Sequence, residues 1–263
     1  MNAPRRLSDF GLVIFDWAGT MVDFGCQAPV EALTTAFGRY GVTLDEAAAR
    51  ADMGKAKDAH VRALLGRPEV AAAWRAARGR SPGEADVALL MGDLGPLMRD
   101  AAEQAAEMIP GATQTVAELR RAGLKVASST GYTREMMQPV LARAAAQGYS
   151  PDHLVCAGET PEGRPSPLMI YRACADLGVW PFSRVIKVDD AEAGVAEGRA
   201  AGCFTIGLAA SGNGLGLSQS AWLALSPDER DRRLAPVRAA LLAAGADRVV
   251  DTVADIPALF GAD

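Results

Sequence analysis

The stretch FDWAGTMVDFGCQAP (residues 15–29) takes over from an apolar run, GLVIFD (11–16), that ends on one carboxylate, Asp16, and leads into a small, glycine-containing turn. Continuous apolar runs of this length suit strands buried on both faces of a parallel sheet. Such a strand delivers its last residue to the carboxyl edge of the sheet, where open α/β folds bind their ligands. Two residues beyond Asp16 stands Ala18, so no second acid follows at that spacing.

Outward from this stretch, similar runs recur as GLKVASST (123–130), HLVCAG (153–158), RVIKVDD (184–190), CFTIGLA (203–209) and RVVD (248–251). Helical patterns at 112–122, 133–147, 167–177, 191–201 and 229–244 separate them, and the alternation predicts an α/β doubly wound parallel sheet. The first gap is the exception. It runs for roughly 100 residues where a βαβ crossover needs a dozen or more, and it reads as helix after helix (29–39, 44–52, 55–65, 68–77, 84–107). The expected organisation is a core domain of residues 1–23 and 109–263 with an inserted α-helical cap domain, residues 24–108, closed by the punctuation IPGA (109–112).

Composition narrows the functional classes. The chain has 263 residues, 22% of them charged, with a net charge of -5, so no broad basic field exists to hold nucleic acid or an anionic membrane. An anionic substrate must be held by a local cluster. No apolar stretch approaches the ~20 residues that span a bilayer, and Met1 to Asp9 lacks the apolar segment of a secretory signal, so a cytoplasmic location is expected. Cys26, Cys156, Cys174 and Cys203 are scattered with no CxxC pair, which argues for reduced thiols over a disulfide framework or a structural zinc site.

The strand ends supply a coherent set of groups: Asp16, Ser129–Thr130–Gly131, GRPSP (163–167) and Asp189–Asp190. Asp16 can attack phosphorus, because the acyl phosphate so formed is readily hydrolysed. Asp190, with Asp16 and backbone or water oxygens, can hold Mg²⁺ in an oxygen-rich shell. Thr130 and the Gly131 amide, at a helix start, can donate to phosphoryl oxygens, and Arg164 can add a charged fork. Singly, each has a plainer use as a helix cap or a surface ion pair. Their order and spacing together are more specific.

The order DxxGT, S/T-G, basic residue, DD, with helices inserted after the first motif, is similar to that of the haloacid dehalogenase superfamily of hydrolases. Within it, FDWAGTMVDFGCQAP, MGKAKDAH (53–60), SSTGYTREMM (128–137), GRPSP and KVDDAEAGVAEGRAAG (187–202) resemble the phosphonoacetaldehyde hydrolase family, from about Gly11 to Gly216. The resemblance implies Mg²⁺-dependent cleavage of the C–P bond of a small phosphonate, phosphonoacetaldehyde, to acetaldehyde and phosphate. In that branch the usual second aspartate is alanine, as Ala18 is here, and a cap lysine replaces its function. By position this is Lys57, which would form an imine with the aldehyde while Asp16 takes the phosphoryl group. Thr130, Gly131 and Arg164 would hold the phosphonate, and Asp16, the Ala18 carbonyl and Asp190 would ligate Mg²⁺.

Met53 and His60, at i−4 and i+3 from Lys57, would share its helix face, and the resemblance implies that they serve lysine packing and proton handling. Two departures stand out: Gly194, where one form of the family has a further aspartate, and Asp58, an acid beside the lysine. Cys26 matches a family cysteine and reads equally well as a packing thiol. Without the resemblance, Lys57 and Lys55 both read as solvated helix lysines. A phosphomonoesterase of the same superfamily and a non-catalytic binding protein are the rival readings; Ala18 counts against the first, and intact Asp16, Asp190 and Lys57 against the second. Alanine-rich cap helices bearing Trp74, Met91 and Met98 predict excess apolar surface and a homodimer through the cap, as the resemblance also implies.

Overall fold

The computed structural model describes residues 6–260; residues 1–5 and 261–263, the outer ends of the two expected core segments, lie outside the described residues. Six strands form: β1 (Leu12–Phe15), β2 (Lys125–Thr130), β3 (His153–Cys156), β4 (Val185–Asp189), β5 (Phe204–Leu208) and β6 (Arg248–Val250). They make one sheet in the order β3-β2-β1-β4-β5-β6, with every pair parallel. Each expected strand is present, trimmed at its ends. Val13 and Phe15 pack into one apolar cluster, and Leu12 and Ile14 into another on the opposite face. That two-sided burial is why β1 is continuously apolar.

Connections run in opposite directions from β1, to β2 on one side and β4 on the other, and this is the switch point at which open α/β sheets bind ligands. Phe15 is in register with Ser128 and Val188. The next residue on each of the three strands is therefore Asp16, Ser129 or Asp189, and the chemistry collects on one edge.

Helices α1 (Gln27–Gly38), α2 (Glu46–Arg50), α3 (Lys57–Leu65), α4 (Pro68–Arg78) and α5 (Glu84–Gln104) lie between β1 and β2. After β2 come α7 (Arg134–Ala146), α8 (Leu168–Leu177), α9 (Glu192–Ala201), α10 (Gln219–Leu223) and α11 (Pro227–Ala244), while α6 (Ala112–Arg121) precedes it. No helix among the described residues is long and apolar enough to cross a membrane.

Several boundaries differ from the sequence expectation. The turn at 51–55, where Gly54 takes φ +88°, ends α2 early and delays α3 to Lys57, so Lys55 and Met53 lie outside any helix. The five-residue α10 was not anticipated; it is too short for a periodic pattern and starts on a Ser218 cap. Trp74 and Met98 are fully buried and Met91 is half-buried. The apolar excess expected on the surface from Trp74 and Met98 is instead packed inside the chain, with Trp74 against Phe37 and Tyr40. Leu33, Leu90 and Met98 join the same cluster as Val13 and Phe15.

Candidate active site

Asp16 leaves β1 into a chamber also lined by Ala18, Met53, Lys57, Thr130, Gly131, Arg164 and Asp190. Eight of the nine residues singled out from the sequence therefore share one cavity. His60 does not line it; it is fully buried in α3, one turn beyond Lys57.

Arg164 organises the carboxylates. Its Nη1 lies 2.8 Å from Asp16 Oδ1, Nη2 lies 3.3 Å from Asp189 Oδ2, and Nε donates to Glu197 Oε2 at 3.0 Å. Nη2 also donates to the Ser129 carbonyl at 2.7 Å. Nη1 also donates to the Gly54 carbonyl at 3.5 Å, so all three nitrogens of the fork meet protein groups at the wall of the chamber. Beneath it, Lys187 is fully buried with Nζ 2.9 Å from both Asp189 Oδ2 and Ser129 Oγ.

Sequence reasoning missed Lys187 and Glu197. The signal was there for Lys187, because a lysine in the middle of an otherwise apolar strand is buried only when paired. Glu197 carried no such mark, since a single acid on a helix is ordinarily solvated.

The charges in this cluster do not balance. Asp16, Asp189, Asp190 and Glu197 gather around Arg164 and Lys187, and even with the Lys57 ammonium that acts on Asp16 below about pH 8 there are four carboxylates against three cations. Burial works against ionisation of Asp189, but Arg164 and Lys187 outweigh it and hold that carboxyl below its usual range. Burial and the neighbouring Asp189 charge raise Asp16 to about 6, against the pull of Arg164. Asp190 is pushed well above the carboxylate range, by burial first and then by Asp16 and Asp189.

Oxygens of Asp16, Asp189 and Asp190 lie within 4.8 Å of one another. A hard divalent cation between Asp16 and Asp190 fits this donor set and would offset the surplus charge, whereas Asp189 is already engaged by its two cations. The pair Asp16 and Asp190 therefore suits Mg²⁺, with the Ala18 segment lining the same chamber.

Lys57 is the first residue of α3 and only 3% exposed. Its Nζ lies 3.7 Å from Met53 Sδ and 5.4 Å from the Tyr132 ring centre. Met53 reaches it from the preceding turn, not from one helical turn below as the sequence suggested. Burial lowers the ammonium pKa to about 8, opposed by Cys26 and Asp16 and assisted by Arg164. Lys55, by contrast, has a 37% exposed side chain with Nζ 2.5 Å from Asp52. Asp58 is exposed and 3.7 Å from Arg62, so the departure beside the lysine faces away from the chamber. Burial, then the Lys57 charge, lowers His60 to about 3, which leaves a neutral imidazole. Burial, then Asp190 and Asp23, raises the Cys26 thiol, so it is not a thiolate.

The inserted segment meets the sheet edge at Gly131. A Cβ there would stand 2.7 Å from the Lys55 carbonyl oxygen and 3.1 Å from that of Gly54, so only glycine lets the turn before α3 sit down on the strand end. Thr130 Oγ1 accepts the Tyr132 N–H at 3.2 Å. The result is a closed chamber with a depressed-pKa amine and a carboxylate, suited to an electrophile with a carbonyl at one end and an anionic group at the other.

Residues 10–202 match the family model for haloacid dehalogenase-like hydrolase. The chain is 44% identical over 244 residues to phosphonoacetaldehyde hydrolase of Paraburkholderia phytofirmans, covering 93% of this chain and 91% of the relative. It is 45% identical over 246 residues to phosphonoacetaldehyde hydrolase of Paraburkholderia xenovorans, with 93% and 91% covered. Among solved structures, a phosphonoacetaldehyde hydrolase-like protein from Oleispira antarctica superposes with a TM-score of 0.94 at 36% identity, over 98% of this chain and 94% of that one. The fold, the motif order and these relatives agree: the chain belongs to the haloacid dehalogenase-like hydrolases and, within them, to the phosphonoacetaldehyde hydrolase family.

Proposed function

We propose that the protein hydrolyses the C–P bond of phosphonoacetaldehyde, giving acetaldehyde and phosphate. The observation that carries this reading is the buried Lys57 amine in one chamber with Asp16, where Ala18 offers no acid for an oxygen leaving group. Neutral Lys57 adds to the aldehyde carbon, and the carbinolamine takes up one proton from solvent and loses water, giving a protonated imine. Asp16 attacks phosphorus, the C–P electron pair flows into the imine, and an enamine leaves. Protonation of the enamine at carbon and hydrolysis of the resulting imine release acetaldehyde and the free lysine. Water cleaves the aspartyl phosphate.

In this scheme Arg164 orients the Asp16 carboxylate through its 2.8 Å contact, and its Nη1 edge, Thr130 and the Gly131 amide hold the phosphonate. Met53 packs against the lysine Nζ, and His60, buried behind it, bears on its protonation through the solvation it denies. Asp16, the Ala18 carbonyl and Asp190 would hold Mg²⁺, which when bound supplies positive charge against the carboxylates and the phosphonate. The surplus of carboxylates over cations supports it.

Residues 24–108 act as a cap on a core of residues 1–23 and 109–263, opening to admit substrate because Lys57 and Asp16 belong to different segments. A cytoplasmic setting accords with four free, buried cysteines, and a net charge of -5 leaves a small phosphonate, not nucleic acid or a membrane, as the partner. The homodimer through the cap, with Trp74 and Met98 turned inward, would use the outer face of α5, where Leu89 is exposed. Incubation with phosphonoacetaldehyde and, separately, an aryl phosphate, followed by phosphate assay, tests the function. Release from the phosphonate alone is expected; release from the aryl phosphate alone would make the protein a phosphomonoesterase, and release from neither a binding protein.

A further inference from the structure

The loop after β5 faces two ways. On its inner side the Asn213 N–H donates to Asp190 Oδ2 at 2.7 Å, opposite Thr20 Oγ1, which donates to Oδ1 at 3.1 Å. Gly212 lies against the same side chain, so close that a Cβ there would stand 2.4 Å from that of Asp190. The position of this loop thus sets the position of the carboxylate.

On its outer side the loop is gripped by Arg50, the last residue of α2. Asn213 Nδ2 donates to the Arg50 carbonyl at 3.0 Å, Arg50 Nη1 donates to Asn213 Oδ1 at 3.3 Å, and Nη2 donates to the Gly216 carbonyl at 3.2 Å. Nη1 also donates to the Gly25 carbonyl at 2.9 Å, at the exit from the Asp16 turn, and Glu46 aims the guanidinium with a 2.8 Å contact. One arginine of the inserted helices thereby ties both the turn after β1 and the loop after β5. Neither Arg50 nor Asn213 lines the chamber that holds Asp16 and Lys57.

We infer that Arg50 and Asn213 form a clasp that positions Asp190 only while the inserted helices are seated, so that closure completes the metal-binding half of the site. The physical reason is that the Asn213 side chain and its own backbone N–H belong to one residue. A shift of α2 that breaks the two Arg50–Asn213 hydrogen bonds frees the residue whose N–H holds Asp190. Both are positioning residues, and the inference rests on the reading of Asp190 as a Mg²⁺ ligand.

The test is calorimetric titration of the full chain with Mg²⁺ alone, comparing wild type, Arg50→Ala, Asn213→Ala and the double variant. Each single change is expected to weaken Mg²⁺ binding by about fivefold or more. The double variant should be no weaker than the weaker single, because both act through one clasp. Melting temperatures of the four are expected to differ far less than their affinities. Should Arg50→Ala fail to fold, Arg50→Lys, which keeps the charge but not the fork, must still weaken binding. Wild-type protein that binds no Mg²⁺ overturns the metal reading and the clasp together. Tight wild-type binding with unchanged single variants, or losses that add in the double variant, overturns the clasp alone.

Discussion

The carboxylate of Asp189 occupies the space that a side chain on Gly194 would need: a Cβ built on Gly194 would lie 1.9 Å from Asp189 Oδ2 and 2.1 Å from its carboxyl carbon. Position 194 therefore has no room for a side chain while Asp189 keeps this place. Asp189 in turn is held there by Lys187 and Arg164. Gly194→Ala should therefore destabilise the protein by roughly 1–3 kcal/mol through overpacking, lowering the melting temperature by several degrees. A Gly194→Ala protein that melts like wild type would refute this steric conflict.

The two lysines of the turn should behave oppositely. Borohydride added with substrate is expected to leave a two-carbon adduct on Lys57 and none on Lys55, read by peptide mass mapping. Lys57→Arg should abolish turnover, since a guanidinium cannot form an imine, while Lys55→Arg loses a partly exposed contact with Asp52 and stays active. Asp16→Asn should lose turnover yet still yield an adduct on Lys57, one that retains the phosphonate because the C–P bond is not cleaved. An adduct on Lys55 would return the protein to the phosphatases.

Imine formation needs the free amine, so the initial trapping rate should rise through about pH 8, the value to which burial lowers Lys57. Well below that pH it should fall by about tenfold per unit. With His60 near 3, this acid limb should persist in His60→Asn.

The same shift has a stability consequence of defined sign. Between about 8 and the ordinary lysine value of 10.5 the unfolded chain binds the extra proton, so the lysine's cost is full below pH 8 and fades as pH rises toward 10.5. Lys57→Met should be more stable than wild type at pH 7, by an amount on the order of 3 kcal/mol or less. Denaturant unfolding should show that advantage shrinking by pH 10; an advantage that grows with pH would contradict the buried ammonium.

Chelation by EDTA should remove phosphate release, and Mg²⁺ should restore it and raise the melting temperature. In Asp190→Asn neither restoration nor stabilisation is expected, because the remaining carboxylates are tied to Arg164 and Lys187. Full activity in the presence of chelator would exclude the metal.

What the sequence determined by itself was local or periodic. Each strand of the sheet was legible because a strand buried on both faces must be continuously apolar, and the insertion was legible because its length exceeds any crossover. Asp16, Thr130, Gly131, Arg164 and Asp190 were legible as strand-end groups that parallel pairing brings to one edge. Tertiary structure alone decided which lysine is desolvated. Lys55 and Lys57 are two positions apart and chemically identical, and only the turn at Gly54, seated on Gly131, exposes one and buries the other. It alone turned Trp74 and Met98 inward, since a helix pattern cannot say which neighbour covers its apolar face. It also placed Asp189 in the space beside Gly194 and Arg50 against Asn213, contacts between residues far apart in the chain or on different elements, whose side chains meet only once the sheet has assembled.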